Sequence, residues 1–194
     1  MAKAKAQQTE ATKAKLQQVA RDLFAKRGFA AVSAEELVAK AGVTRGALYH
    51  HYDGKEGLFA AVVEDIMREL HAKLAAEAGK EDDPLKALER GIRTFLTIST
   101  KPAIQQILLI DGPAVLGWRQ WREMDARFGL GLLKRALAGA MSAGRLRHQD
   151  VDLLAHALLG ALTEVAMVVA RAQKPAAAQR AAEQAITAMV AGWR

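Results

Sequence analysis

The chain has no cysteine, which excludes a disulfide framework, a thiolate zinc site and thiol catalysis. Aromatic residues make up only 5% of it and prolines number four. Ala and Leu dominate and runs of β-branched residues are scarce, so the composition favours helix over strand and the reading is all-α. No apolar segment follows the polar start Met1-Ala2-Lys3-Ala4-Lys5; no secretory signal is predicted, and the cytoplasm is the expected compartment. The most apolar stretch, 153–170, holds His156 and Glu164, groups that are costly in lipid, and is read as a buried helix with no membrane partner. Catalytic signatures are missing as well. There is no nucleophile turn with ordered Ser, His and Asp, no HExxH and no Gly-rich phosphate loop, and Asp111, His156 and Glu164 are too scattered to make a site. His50 and His51 are helix neighbours about 100° apart and cannot easily share one ion. Neither an enzyme nor a cofactor or metal is expected.

What is present is helix periodicity and an uneven charge. The 194 residues, 51% hydrophobic, have room for a small domain fused to a larger one. Of the net charge of +7, most sits near one end: residues 1–55 carry ten Lys and Arg against five Asp and Glu, and the remainder eighteen against sixteen. That asymmetry fits a polyanion-binding end joined to a near-neutral region, although basic tails also serve as solubilising arms. Basic residues spread over the whole surface, as a nonspecific architectural DNA binder needs, are not found.

Start and stop signals give about nine helices. Leu16, Val19, Ala20, Leu23 and Phe24 form an apolar stripe that stops at Gly28. Ser33 and Glu36 make a capping box for a short helix ending by Gly42. Thr44 caps a third helix through Tyr52, and Asp53-Gly54-Lys55-Glu56 repeats the capping-box spacing before a long amphipathic fourth. Asp83-Pro84 opens the next helix. Pro102 and Pro113 each open another, the latter running to about Ala143 with a bend near Gly129; Asp150 caps one to about Ala172 and Pro175 starts the last. The boundary falls near residue 60, inside the fourth helix, giving 1–60 and 61–194.

Two short helices separated by Gly42-Val43-Thr44 have the proportions of a DNA-reading helix-turn-helix. On a wheel, Leu48 and Tyr52 face the core, while Gly46, Ala47, Tyr49 and His50 face away with Arg45 beside them. An ordinary helical hairpin with a polar face has the same pattern. Residues 33–59, SAEELVAKAGVTRGALYHHYDGKEGLF, resemble the DNA-binding signature of the TetR/AcrR family of transcriptional regulators, the likeness extending over 13–66. It implies a ligand-responsive repressor that binds a palindromic double-stranded DNA operator as a homodimer and is released by a small-molecule effector. By the same resemblance Thr44, Arg45, Gly46, Ala47, Tyr49 and His50 face the major groove. His51 and Lys55 match family positions at the phosphates, where the Ser33 hydroxyl is also placed. Arg45 is the candidate for reading a guanine, since a guanidinium bonds O6 and N7 together. Ala47 departs from the Ser or Thr often found there. Lys3 and Lys5, with Lys13 and Lys15, are read either as a DNA-reaching arm or as a plain tail.

Beyond residue 66 the resemblance fades and chemistry carries the reading. Trp118 and Trp121, with Phe95 and Met124, are candidate walls of a ligand cavity, and Asp111, Arg119, Arg122 and Glu164 its candidate polar anchors. Aromatic pairs at this spacing also serve simply as core, and Arg119 with Glu123 reads equally as a surface pair. Small residues at Ala157, Gly160, Ala161 and Val168, and at Ala178, Ala181, Ala182, Ala185 and Ala188, mark two helices for close packing across a dimer or for internal packing alone.

Overall fold

The computed structural model describes the backbone from Ala2 and side chains from Gln7 to Arg194. Every element among the described residues is helical. Lys3 and Lys5, half of the arm read from the sequence, lie outside the described side chains.

Helix α1 (Ala2–Arg27) buries Leu16, Ala20, Leu23 and Phe24, the stripe expected from the sequence. Helix α2 (Ala34–Ala41) starts where the Ser33 Oγ accepts from the Glu36 N–H at 3.1 Å, a cap of about 1 kcal/mol. It ends at Gly42, whose φ of 62° is a left-handed value that a side chain resists. Helix α3 (Arg45–Tyr52) is capped by Thr44, whose Oγ1 accepts from the Ala47 N–H at 3.2 Å. Asp53 proves to be the left-handed C-cap of α3 rather than the N-cap of α4 (Lys55–Ala78); that place falls to Gly54 at φ 101°. Two successive positive φ values thus fold the chain back between α3 and α4.

Helix α5 (Pro84–Ser99) follows an Asp83 cap that accepts from the Leu85 and Lys86 N–H groups. Helix α6 (Pro102–Leu116) corrects a second expectation. Pro113 stands in the first turn of the α-helical end of α6, Gly112–Leu116, after a seven-residue π-helical stretch, Gln105–Asp111, but this helix stops at Gly117 instead of running to about Ala143. The wide turn sits where the N–H missing from Pro113 interrupts the ordinary ladder. Gly117 at φ 77° ends α6. Helix α7 (Trp118–Ser142) then runs unbroken through Gly129, and α8 (Val151–Ala170) and α9 (Pro175–Ala191) complete nine helices among the described residues.

Two hydrophobic clusters result. The first joins α1, α2 and α3 to the buried face of α4 and continues through Ile107, Leu108, Trp121 and Ala166. At its centre the Phe24, Phe29 and Phe59 rings meet with centroids 5.1–5.6 Å apart. The second joins α5, the C-terminal part of α7, α8 and α9. Among the described residues α8 alone is long and apolar enough to cross a membrane, but Leu154, Ala155, Leu158 and Leu162 are part of that second cluster.

Candidate DNA interface and effector cavity

The α2–turn–α3 unit is held from beneath. Leu37, Ala41 and Leu48 are fully buried, and the Tyr52 hydroxyl donates to the Lys13 carbonyl of α1 at 3.1 Å. Burial of the Tyr52 phenol pushes its pKa up to about 12, so it remains a donor at any physiological pH. On the opposite face Thr44, Arg45, Gly46, Tyr49 and His50 are exposed and Ala47 is half-buried; Tyr49 keeps 48% of its surface in water. The Arg45 Nη1 donates to Glu35 Oε1 at 2.9 Å, and the guanidinium lies 5.6 Å from the centre of the Tyr49 ring. This pair is open to solvent on both sides, so little opposes a swing of Arg45 toward a base. The His50 and His51 rings stand 4.9 Å apart and tilted by 59°.

Lys55 behaves differently from a free phosphate contact. Its ammonium donates to the Phe29 carbonyl at 3.2 Å and the Val32 carbonyl at 3.0 Å and sits 3.8 Å over the Phe29 ring. The start of α4 is thereby stapled to the loop that precedes α2. The same loop is gripped from the other side, where Asp111 of α6 accepts the Phe29 N–H at 2.8 Å.

Asp111 is therefore a joint between the C-terminal helices and the loop before α2, and it is absent from the cavity walls. Of the other residues read as ligand contacts, Trp118 is 58% exposed and Glu164 is exposed on α8. Trp121 is buried, its indole N–H donating to the Leu108 carbonyl at 2.8 Å. Phe95 and Trp121 do line cavities. An apolar cavity of about 60 Å³ lies between α4, α5, α7 and α8, lined by Leu74, Leu88, Ile92, Phe95, Leu132 and Leu159 among others. A smaller cavity of about 20 Å³ adjoins it and is lined by Ser99, Leu108, Trp121 and Thr163; His71, Phe95 and Asp125 belong to both walls.

The polar groups here went unnoticed in the sequence. Asp125 Oδ2 accepts from Arg122 Nη1 at 2.6 Å and from the Thr163 hydroxyl at 3.2 Å, which is how Arg122 touches the site. Burial raises the Asp125 pKa, against the pull of Arg122 and Thr163. Burial lowers that of His71, leaving the imidazole neutral, with Nδ1 2.7 Å from the Met67 carbonyl. A carbonyl only accepts, so the hydrogen is on Nδ1 and Nε2 carries the lone pair. The missed signal was polarity in the wrong place: His71 follows Met67 at i+4 on the buried face of α4, and Asp125 follows Trp121 at i+4 on that of α7.

Comparison with known proteins accounts for both halves of this arrangement. Residues 16–62 match the family described as bacterial regulatory proteins, tetR family, and residues 85–193 match a tetracyclin repressor-like C-terminal domain. The "Probable HTH-type transcriptional regulator ArpR" of Pseudomonas putida is 34% identical over 165 residues, covering 78% of this chain and 77% of its own. The crystal structure of a TetR-family transcriptional regulator from Pectobacterium atrosepticum superposes with a TM-score of 0.88 at 32% identity, over 96% of this chain and 95% of that one. RolR in complex with the ligand resorcinol has the same fold, with a TM-score of 0.76 at 24% identity over 95% and 90% of the two chains. This chain belongs to the tetR family of DNA-binding transcriptional regulators.

Proposed function

We propose that the protein is a cytoplasmic, ligand-responsive repressor that binds a palindromic operator as a homodimer and leaves it when a small molecule enters the cavity between α4, α5, α7 and α8. Residues 1–60 form the reading unit and 61–194 the effector and dimer unit. The observation that carries this reading is the outward face of α3. Arg45, Tyr49 and His50 stand on a firmly seated helix, and Gly46 lets its backbone come close to a groove. Ser33 and His51 flank that face as phosphate contacts; Lys55 contributes chiefly by fixing the loop before α2.

Dimerisation is supported by what α8 and α9 leave uncovered. Leu153 is 70% and Val168 57% exposed on α8, and Ala157 of α8 and Ala181, Ala185 and Ala188 of α9 are exposed as well, low-profile apolar surface suited to a four-helix contact. Ala182 is spent in the chain's own core. The effector reading draws support from the apolar cavity and from a protein of like fold that was found with an organic ligand.

The test is a fluorescence-anisotropy titration against DNA flanking the protein's own coding region, at two salt concentrations, with random duplex as competitor. Saturable, competitor-resistant binding at dimer stoichiometry is expected, with roughly tenfold or greater loss for Arg45→Ala. An Arg45→Ala variant that binds as wild type, to operator and random duplex alike, would remove α3 as the reader.

A further inference from the structure

The polar part of the cavity wall is one-sided in its hydrogen bonding. Both protein partners of Asp125 fall on Oδ2, which leaves Oδ1 unspent on a residue that lines both spaces. His71 spends its N–H on Met67, and its Nε2 is near Gly129, about 3.4 Å from where a Cβ on that residue would stand. Both residues belong to the walls of both cavities. Ser99, only 2% exposed, lines the inner cavity, and its hydroxyl has no partner. A buried hydroxyl in that state forgoes a hydrogen bond, which a ligand group in the inner cavity recovers. Two acceptors and one unspent hydroxyl call for a guest that donates.

Charge and size narrow the guest further. A carboxylate ligand would meet the Asp125 carboxylate in an apolar setting, and a cationic one would find that carboxylate already paired with Arg122 at 2.6 Å. Neutral molecules escape both penalties. An apolar cavity of about 150 Å³ admits benzene, so adjoining spaces of 60 and 20 Å³ favour a guest of no more than one ring, which enters with some movement of Phe95 and the leucines. Resting on the effector reading of this cavity, we propose that the effector is a small uncharged ring compound bearing hydroxyl groups, which donate to Asp125 Oδ1 and His71 Nε2 while Ser99 meets the same polar end.

The experiment is calorimetric titration of the full-length protein with four probes of similar size: phenol, anisole, benzoate and benzylamine. Phenol is expected to bind at least about tenfold more tightly than the other three, because anisole lacks the donor and the remaining two carry charge. His71→Phe should bring phenol down to the anisole level without weakening anisole. Gly91→Leu, whose new side chain grows from a position on the cavity wall with no neighbouring atom within 4 Å, should abolish both. Equal binding of phenol and anisole, blocked by Gly91→Leu, overturns the hydroxyl assignment and leaves the cavity as an effector site. Tightest binding by benzoate or benzylamine overturns it too. Failure of all four probes overturns both the assignment and the use of this cavity, while the DNA titration still decides the regulator reading on its own.

Discussion

Two glycine-to-alanine changes, alike on paper, should move stability in opposite directions. A Cβ on Gly57, in the first turn of α4, would stand 1.6 Å from the Tyr52 carbonyl oxygen and 2.8 Å from its carbon. Ordinary carbon–oxygen contacts lie near 3.3–3.6 Å, so about 1.7 Å of movement is demanded, and the obstacle is backbone rather than a side chain that can rotate. Overpacking a tight site typically costs about 1–3 kcal/mol; a clash with rigid backbone belongs at or above the top of that range, about 3 kcal/mol. Gly91 meets nothing within 4 Å, and an alanine there gains about 0.5–1 kcal/mol of helix propensity. For a chain of this size 1 kcal/mol moves Tm by about 2–4 °C. Gly57→Ala should therefore lower Tm by about 6–12 °C, and Gly91→Ala should raise it by about 1–4 °C, in thermal melts at one fixed protein concentration. Because Tyr52 is the last residue of α3, Gly57→Ala should also weaken DNA binding under conditions where the variant remains folded. A Gly57→Ala protein melting within 1 °C of wild type would refute the close approach of α3 and α4 on which the reasoning depends.

Three further outcomes are expected. Asp111→Ala strands the Phe29 N–H and should cost about 1–3 kcal/mol in denaturant unfolding, with Asp111→Asn recovering part of it; an unchanged midpoint for Asp111→Ala would dismiss that joint. His71, whose folded pKa is held below 6.5 by burial, binds its proton more readily when unfolded, so stability should fall as pH drops below 6.5. His71→Phe should flatten that part of the stability profile, and a slope identical in the variant would exclude His71 as its source. Leu153→Glu and Val168→Glu, at positions already in water, should leave the monomer folded by circular dichroism but shift sedimentation from dimer to monomer; a dimer persisting in both would relocate the interface.

Local chemistry made the first half of the molecule legible. Ser33, Gly42 and Thr44 announce their caps and turn within a dozen residues, and the wheel separates Leu48 from Tyr49 without any knowledge of what packs above. The start of α4 was harder because Asp53-Gly54-Lys55-Glu56 satisfies the spacing of a capping box, while tertiary packing requires the chain to reverse there through two positive φ values. Pro113 reads as the start of a helix reaching about Ala143, but the positive φ of Gly117 ends that helix after Leu116 and a new one begins at Trp118. The cavity could not be found by local rules. Its polar wall brings together His71, Ser99, Asp125 and Thr163 from four helices, and each reads alone as a polar residue on a helix. The two conspicuous tryptophans divide between solvent and core, and Asp111, the acid that stood out, serves the joint between the two parts.

That joint bears on how far the reading unit is portable. Relatives invite chimeras in which one protein's DNA specificity is grafted onto another's effector response, with the cut placed near residue 60. Lys55 would travel with such a graft, since it bonds Phe29 and Val32 on the same side of the cut. Asp111 would not, and Gln106, whose amide nitrogen would lie only 3.1 Å from a Cβ on Gly28, would stay behind as well. A grafted loop from another protein would meet a mismatched pair of α6 side chains, leaving the unit attached by α4 yet loose at its second anchor. Carrying residues 106 and 111 along with the first sixty restores that anchor, so the transferable module is discontinuous in sequence.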